Sequence, residues 1–141
     1  MGEGALSAVL LDTHAWVWGH MDSRRLGESA RATVGQSDLV YVSPISVYEV
    51  TQKVRLGKWP EITPHLEVLV HDEQAISAPF NRQIAARAGL LDWAHRDPFD
   101  RLIAATAIEV GCPLVSKDEA FDELKQTPGW SGRIWEGLPR L

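Results

Sequence analysis

Apolar runs of strand length alternate with stretches of helical period from one end of this chain to the other. AVLLD (8–12) is apolar until an acid ends it, and THAWVWGHM behind it has the mixed pattern of a short buried helix. SRRLGESARATVGQ predicts a second short helix over about 27–35, and DLVYVSP a second strand ending at Ser43. Ser43 followed by Pro44 is a helix cap with proline in the first turn. A helix is therefore expected to about Leu56, before the breakers Gly57 and Pro60. On it Val47, Val50 and Val54 form one apolar stripe, while Glu49 shares the opposite face with Ile45, Gln52 and Leu56. Glu49 thus has apolar companions on its own face. TPHLEVLVHDE predicts a further helix, QAISAP a short strand or extended link, and FNRQIAARAGLL a helix broken near Gly89.

The stretch from Arg96 to Leu124 carries the clearest punctuation. Asp97 precedes Pro98 and Asp100 falls in the first turn, the pattern of a capped helix running through LIAATAIEV to its stop at Gly111. CPLVS is an apolar run of strand length; Asp118 lies where it ends, and another helix starts behind it. The tail offers one short strand, Gly132 to Trp135, expected at a sheet edge. Strands alternating with helices predict an α/β fold whose parallel or mostly parallel sheet is covered on both faces.

Composition narrows the class without changing that picture. At 141 residues, 45% hydrophobic and 23% charged, the chain is expected to form one globular domain over residues 1–141. No apolar run approaches the roughly 18 residues of a membrane span, and MGEGALSA has no basic region before its apolar residues, so a cytoplasmic protein without a membrane association is expected. Cys112 stands alone, which excludes an internal disulfide, and its place in an apolar strand favours an inert thiol over a nucleophile. A net charge of −5 argues against nucleic-acid binding through a broad basic field. It leaves a nuclease open, since cations bound in an acidic pocket reverse the local electrostatics.

Four carboxylates fall at element ends or on the unusual helix face: Asp12, Glu49, Asp100 and Asp118. In a parallel sheet Asp12 and Asp118 leave the same edge, and the N-terminus of the Asp100 helix returns to it. Three acids then converge in the crevice beyond the carboxyl ends of the strands, where ligands bind in such sheets. Two carboxylates about 4 Å apart repel by about 4 kcal/mol at an effective dielectric of 20. A divalent cation removes that penalty, and hard oxygen ligands suit Mg²⁺ or Mn²⁺. Each acid also has a plain structural use: Asp12, Asp97 and Asp118 as caps, Asp100 as a complement to the helix dipole, Glu49 as a solvated helix residue. Both uses stay open at each position.

The segments LLDTHAWVW, SPISVYEV, HRDPFDRLIAATAIEVGCPLVSKDEAFDE and RIWEG, in order and over nearly the whole chain, resemble the PIN-domain family, specifically the VapC-type ribonuclease toxins of bacterial toxin–antitoxin pairs. The resemblance implies a three-layer α/β/α sandwich around a mainly parallel sheet, a Mg²⁺- or Mn²⁺-dependent endoribonuclease, a small VapB-like antitoxin that blocks the site, and pairing as a homodimer. Carried over by motif, the catalytic acids are Asp12, Glu49, Asp100 and Asp118. Asp12, Asp100 and Asp118 would hold one or two metal ions, and Glu49 would complete the cluster. Of the two acids in DPFD, Asp100 matches the motif better, which leaves Asp97 as a supporting helix cap. Ser116 matches a hydroxyl position that supports the first acid, and Thr13 and His14 flank that acid. Arg101 and Lys117 lie beside acids in the sequence and are candidate phosphate contacts, against the alternative of solvated surface cations.

The expected reaction is hydrolysis of an RNA phosphodiester, leaving a 5′-phosphate and a 3′-hydroxyl as the resemblance implies. A metal-activated water needs no separate histidine base, so His14 is expected to flank the site rather than act in it. The six tryptophans fit core and interface roles, with base stacking as the alternative. A basic antitoxin segment, an Arg above all, would suit the acid pocket through charge-assisted bonds. Two other functions remain open. One is a non-catalytic PIN-like protein whose role is partner binding. The other is a phosphatase with Asp12 as nucleophile, of the haloacid-dehalogenase type, although that motif wants an acid two residues on, where this chain has His14.

Overall fold

The computed structural model describes residues 6–137. Five strands, β1 (Ala8–Leu11), β2 (Leu39–Val42), β3 (Ile76–Ser77), β4 (Leu114–Val115) and β5 (Arg133–Ile134), form one sheet in the order β3-β2-β1-β4-β5, and each neighbouring pair is parallel. Between them run α1 (Thr13–Met21), α2 (Glu28–Gln36), α3 (Pro44–Arg55), α4 (Leu66–Val70), α5 (Arg82–Leu90) and α6 (Pro98–Val110).

Central β1 explains the layering. Successive strand residues point to opposite faces, and both faces of this strand are covered, so it reads as a continuous apolar run. Val9 and Leu11 join one core with Trp16, Ala30, Val42, Val50 and Leu69, drawn from α1 to α4 and β2. Leu10 joins the other with Ile103, Ala104, Ala107, Leu114 and Phe121, most of them from α6 and the segment after β4. Helix α5 packs on α6 through Ile84, Ala88 and Ala105. The result is the expected α/β/α sandwich around a parallel sheet.

Helix entrances are built as the sequence punctuation predicts. Asp12 accepts from the Ala15 N–H at 2.9 Å, Ser43 from Ile45 at 3.0 Å, and Asp97 from Phe99 at 2.8 Å and Asp100 at 3.2 Å. Gly111 ends α6 with φ +79°, a left-handed conformation that glycine adopts without a Cβ penalty. Three expectations need correcting. The segment from Pro60 to His65 is 3₁₀ and only Leu66–Val70 is α-helical, because Pro64 has no N–H to give to a helical ladder. Helix α5 passes through Gly89 to Leu90, since a single interior glycine costs about 1 kcal/mol and packing on α6 offsets it. The segment after Asp118 is a 3₁₀ turn, Glu119–Leu124.

The strand order sets where a ligand can sit. From β1 the chain moves outward through β2 to β3, then returns past β1 to β4 on its other side and on to β5. The direction of winding therefore reverses between β1 and β4, and the crevice beyond their carboxyl ends is the topological switch point. Among the described residues, no helix is long and apolar enough to cross a membrane.

Candidate functional site

Asp12 leaves the end of β1 directly at this switch point. One carboxylate oxygen caps α1. The chain folds Ser116, the first residue after β4, beside it: the Ser116 hydroxyl accepts the Asp118 N–H at 3.0 Å and favours the Asp12 carboxylate as a hydrogen-bond donor. Burial nevertheless dominates, and with the negative charges of Asp100 and Glu49 it pushes the Asp12 pKa up from 3.8 to about 6.

Glu49 comes from the second turn of α3 and is buried. Its carboxylate is held on both sides. Thr13 Oγ1 donates to Oε1 at 2.6 Å, Ser46 Oγ lies 2.9 Å from the same Thr13 hydroxyl, and Lys53, one turn on, reaches Oε2 at 3.0 Å. A buried carboxylate is tolerated when it is paired and hydrogen-bonded in this way. Thr13 supports Glu49 rather than Asp12, its chain neighbour.

The third group forms where α6 begins. Asp100 Oδ2 lies 2.7 Å from His95 Nε2, and His95, Asp100 and Asp118 each offer a ligand atom within 4.8 Å of the others. Burial raises the Asp100 pKa, as do the charges of Asp97 and Asp118, against the His95 hydrogen bond that lowers it. Asp118 caps the 3₁₀ turn behind it through the Ala120 N–H at 2.9 Å and is exposed at the crevice. Capping and convergence thus coexist: Asp12 and Asp118 each use one oxygen on the backbone while their side chains stand at the same edge.

The remaining predicted residues are placed differently. Asp97 is exposed and engaged in its cap. His14 is exposed, with its ring between those of Trp18 and Trp59 at centroid distances of 5.4 and 4.8 Å. Lys117 is exposed with Nζ 6.0 Å from the Trp18 ring. Arg101 is turned away from the acids, which corrects the expectation of a phosphate contact. Its guanidinium donates to the carbonyls of Ala88 and His95 at 3.0 Å and of Leu91 and Trp93 at 2.7 Å, so its donors are committed to backbone. The loop it clamps carries Trp93 and His95, whose rings stack at 4.7 Å, and Trp93 is tied down by a 2.8 Å bond from Nε1 to Glu123.

Sequence reasoning missed three residues here. His95 lies in a loop without periodicity, and its only signal was the spacing H-x-D-P-x-D, which puts it five residues before Asp100. Lys53 was visible as the i+4 partner of Glu49. Ser46 had no signal of its own, because its role depends on α1 crossing α3.

Comparison with known proteins bears on the family and the fold. The model of the PIN domain matches residues 9–126. The chain is similar to Ribonuclease VapC22 of Mycobacterium tuberculosis, 33% identical over 115 residues that cover 80% of this chain and 88% of that protein. Among solved structures, its fold is like that of VapBC2 from Rickettsia felis bound to a DNA fragment from its promoter, with TM-score 0.63, 17% identity and coverage of 90% and 98% of the two chains. It is also like that of VapBC-1 from nontypeable Haemophilus influenzae, with TM-score 0.61, 20% identity and coverage of 84% and 93%.

Proposed function

The chain belongs to the PIN-domain family, and on that premise we propose that it is a metal-dependent endoribonuclease, the toxin half of a toxin–antitoxin pair acting in the cytoplasm. The observation that carries the reading is the gathering of acids at the switch point: Asp100 and Asp118, with His95, offer ligand atoms within 4.8 Å of one another, and the charges of Asp100 and Glu49 add to burial in pushing the pKa of the Asp12 carboxyl up to about 6. Burial raises the proton affinity of Asp12 and Asp100, and a crevice that gathers these acids with Asp118 carries an excess of negative charge that a divalent cation relieves. The donor set of carboxylate oxygens fits Mg²⁺ or Mn²⁺, with Asp12, Asp100 and Asp118 as the holding residues and Glu49 completing the negative cluster. When bound, such an ion lowers the pKa of a water and stabilises charge on a leaving oxygen.

The chain's own residues do the positioning. Ser116 orients Asp12 while tying down the Asp118 backbone. Thr13, Ser46 and Lys53 hold Glu49 in one place. His95 binds one oxygen of Asp100 and leaves the other for the crevice, and Arg101 positions His95 through the loop. Lys117, exposed and next to Asp118 in the chain, would meet a substrate phosphate. Cleavage would leave a 5′-phosphate and a 3′-hydroxyl. The VapBC names of the solved relatives support a VapB-like antitoxin as partner; the charge of the acid pocket suits insertion of a basic side chain from it, and the family resemblance implies a toxin homodimer. Mapping RNA 5′ ends in cells that express the chain without an antitoxin tests the reading. New 5′-phosphate ends should appear with the parent chain and be missing with Asp12→Asn; the same ends in both would overturn it.

A further inference from the structure

An aromatic strip with cations over its rings lies along the edge of the acidic crevice. Its centre is His14, exposed and two residues from Asp12, flanked by Trp59 at 4.8 Å and Trp18 at 5.4 Å. Lys53 Nζ lies 5.6 Å from the Trp59 ring, Arg25 Cζ 4.4 Å from the Trp18 ring, and Lys117 Nζ 6.0 Å from the same ring. Lys53 is tied to Glu49. Arg25 and Lys117 are exposed and form no ion pair among the described residues. The strip adjoins the acids at both elements: Lys117 is the neighbour of Asp118, and His14 stands where the charges of Glu49 and Asp118 oppose those of Lys53 and Arg25.

We propose that this strip binds unpaired nucleotides flanking the scissile phosphodiester, with bases against His14 and its neighbouring rings and phosphates against Arg25 and Lys117. The proposal rests on the nuclease reading above and adds the residues that hold the nucleotides on either side of the reacting phosphate. Rings at a surface can stack only on bases that are themselves unstacked, so the strip suits single-stranded or looped RNA and gives nothing to a duplex. The chain carries a net charge of −5 and has no basic field to attract a phosphate backbone. Affinity must come from local cations, and two cations without an ion pair among the described residues lie over the Trp18 ring, one of them the chain neighbour of Asp118. Trp18 and Trp59 rest half-buried against the core, and the ring they leave open to solvent is that of His14. An acidic segment of a protein would also meet these cations, but it has no use for a row of rings leading to the proposed hydrolytic site.

The test uses the full chain carrying Asp100→Asn, in EDTA, with a fluorescein-labelled oligouridylate and a matched RNA duplex as probes, read by anisotropy across a KCl series. The single strand should bind at least about tenfold more tightly than the duplex. His14→Ala should weaken the single strand about tenfold, in the range of one lost stacking contact. Arg25→Gln and Lys117→Gln should each lower the slope of log affinity against log salt by about one. Both cations are exposed, so their variants should keep the parent circular dichroism and melting curve. Equal affinity for strand and duplex, or slopes unchanged in both cation variants, would overturn the strip. A parallel arm incubates the parent chain with Mg²⁺ and the same oligonucleotide. Strip-dependent binding without cleavage there would overturn the nuclease reading alone, cleavage with strip-independent binding would overturn the strip alone, and absence of both would overturn both.

Discussion

Replacing Asp12 by Asn in the metal-free chain is expected to stabilise it at neutral pH. Asn caps a helix about as well as Asp, so the bond to the Ala15 N–H is retained and a buried negative charge is what disappears. Folding moves that carboxyl from 3.8 to about 6, a gap that corresponds to about 3 kcal/mol. The sign follows from proton binding: the folded chain holds a proton that the unfolded chain releases, so rising pH costs the folded state. Below about pH 4 both states are protonated and nothing is lost; the cost grows from about pH 4 to about pH 6 and is complete above that. In EDTA, Asp12→Asn should therefore match the parent near the acid end and exceed it by up to about 3 kcal/mol above the folded pKa. For a chain of this length that is on the order of 10 °C in Tm. Urea unfolding followed by tryptophan fluorescence at the two ends of this range measures it. A stability difference that does not change with pH would refute the reasoning. Mn²⁺ should then stabilise the parent and leave the variant unmoved, because only a chain that binds the ion when folded gains from it.

Three other perturbations reach different parts of the account. His95→Gln should lower Mn²⁺ affinity about 10–100-fold, as loss of a carboxylate's supporting hydrogen bond does at other metal sites, with the melting curve retained; unchanged affinity by electron paramagnetic resonance would count against a positioning role. Arg101→Lys should cost about 2 kcal/mol or more in urea unfolding, because one ammonium cannot serve four carbonyls spread over residues 88–95, and Mn²⁺ affinity should fall with it. Gly27→Ala should cost about 2 kcal/mol or more, since its Cβ would stand 2.2 Å from the Trp135 carbonyl oxygen that accepts the Ala30 N–H; a parent-like melting temperature would show that β5 is free to move off α2.

What could be read in advance depended on how far each signal reached. Asp12, Asp100 and Asp118 lie at the ends of strongly patterned elements, so naming the strands and the parallel order already put them at one edge. Glu49 was visible because its helical face carried Ile45, although Leu56 on that face proved exposed. The doubly covered β1 announced itself as the unbroken run AVLL. The Arg101 guanidinium was misplaced because its carbonyl partners belong to a loop with no period, and nothing local says that residues 88–95 fold over α6. His95 was lost for the same reason, since it reaches Asp100 only once that loop is clamped. Capping and metal binding had looked like competing explanations of the same acids. In the folded chain they are compatible, one carboxylate oxygen serving the helix while the group as a whole faces the crevice.

The central claim is that the acids at the switch point act on RNA with a divalent cation. Its most direct test is incubation of the purified chain, freed of any partner, with single-stranded RNA in EDTA, in Mg²⁺ and in Mn²⁺, beside Asp100→Asn and Asp118→Asn. Cleavage to 5′-phosphate products only with a metal, and only by the parent chain, is the result predicted. Cleavage that persists in EDTA or in both variants would contradict it.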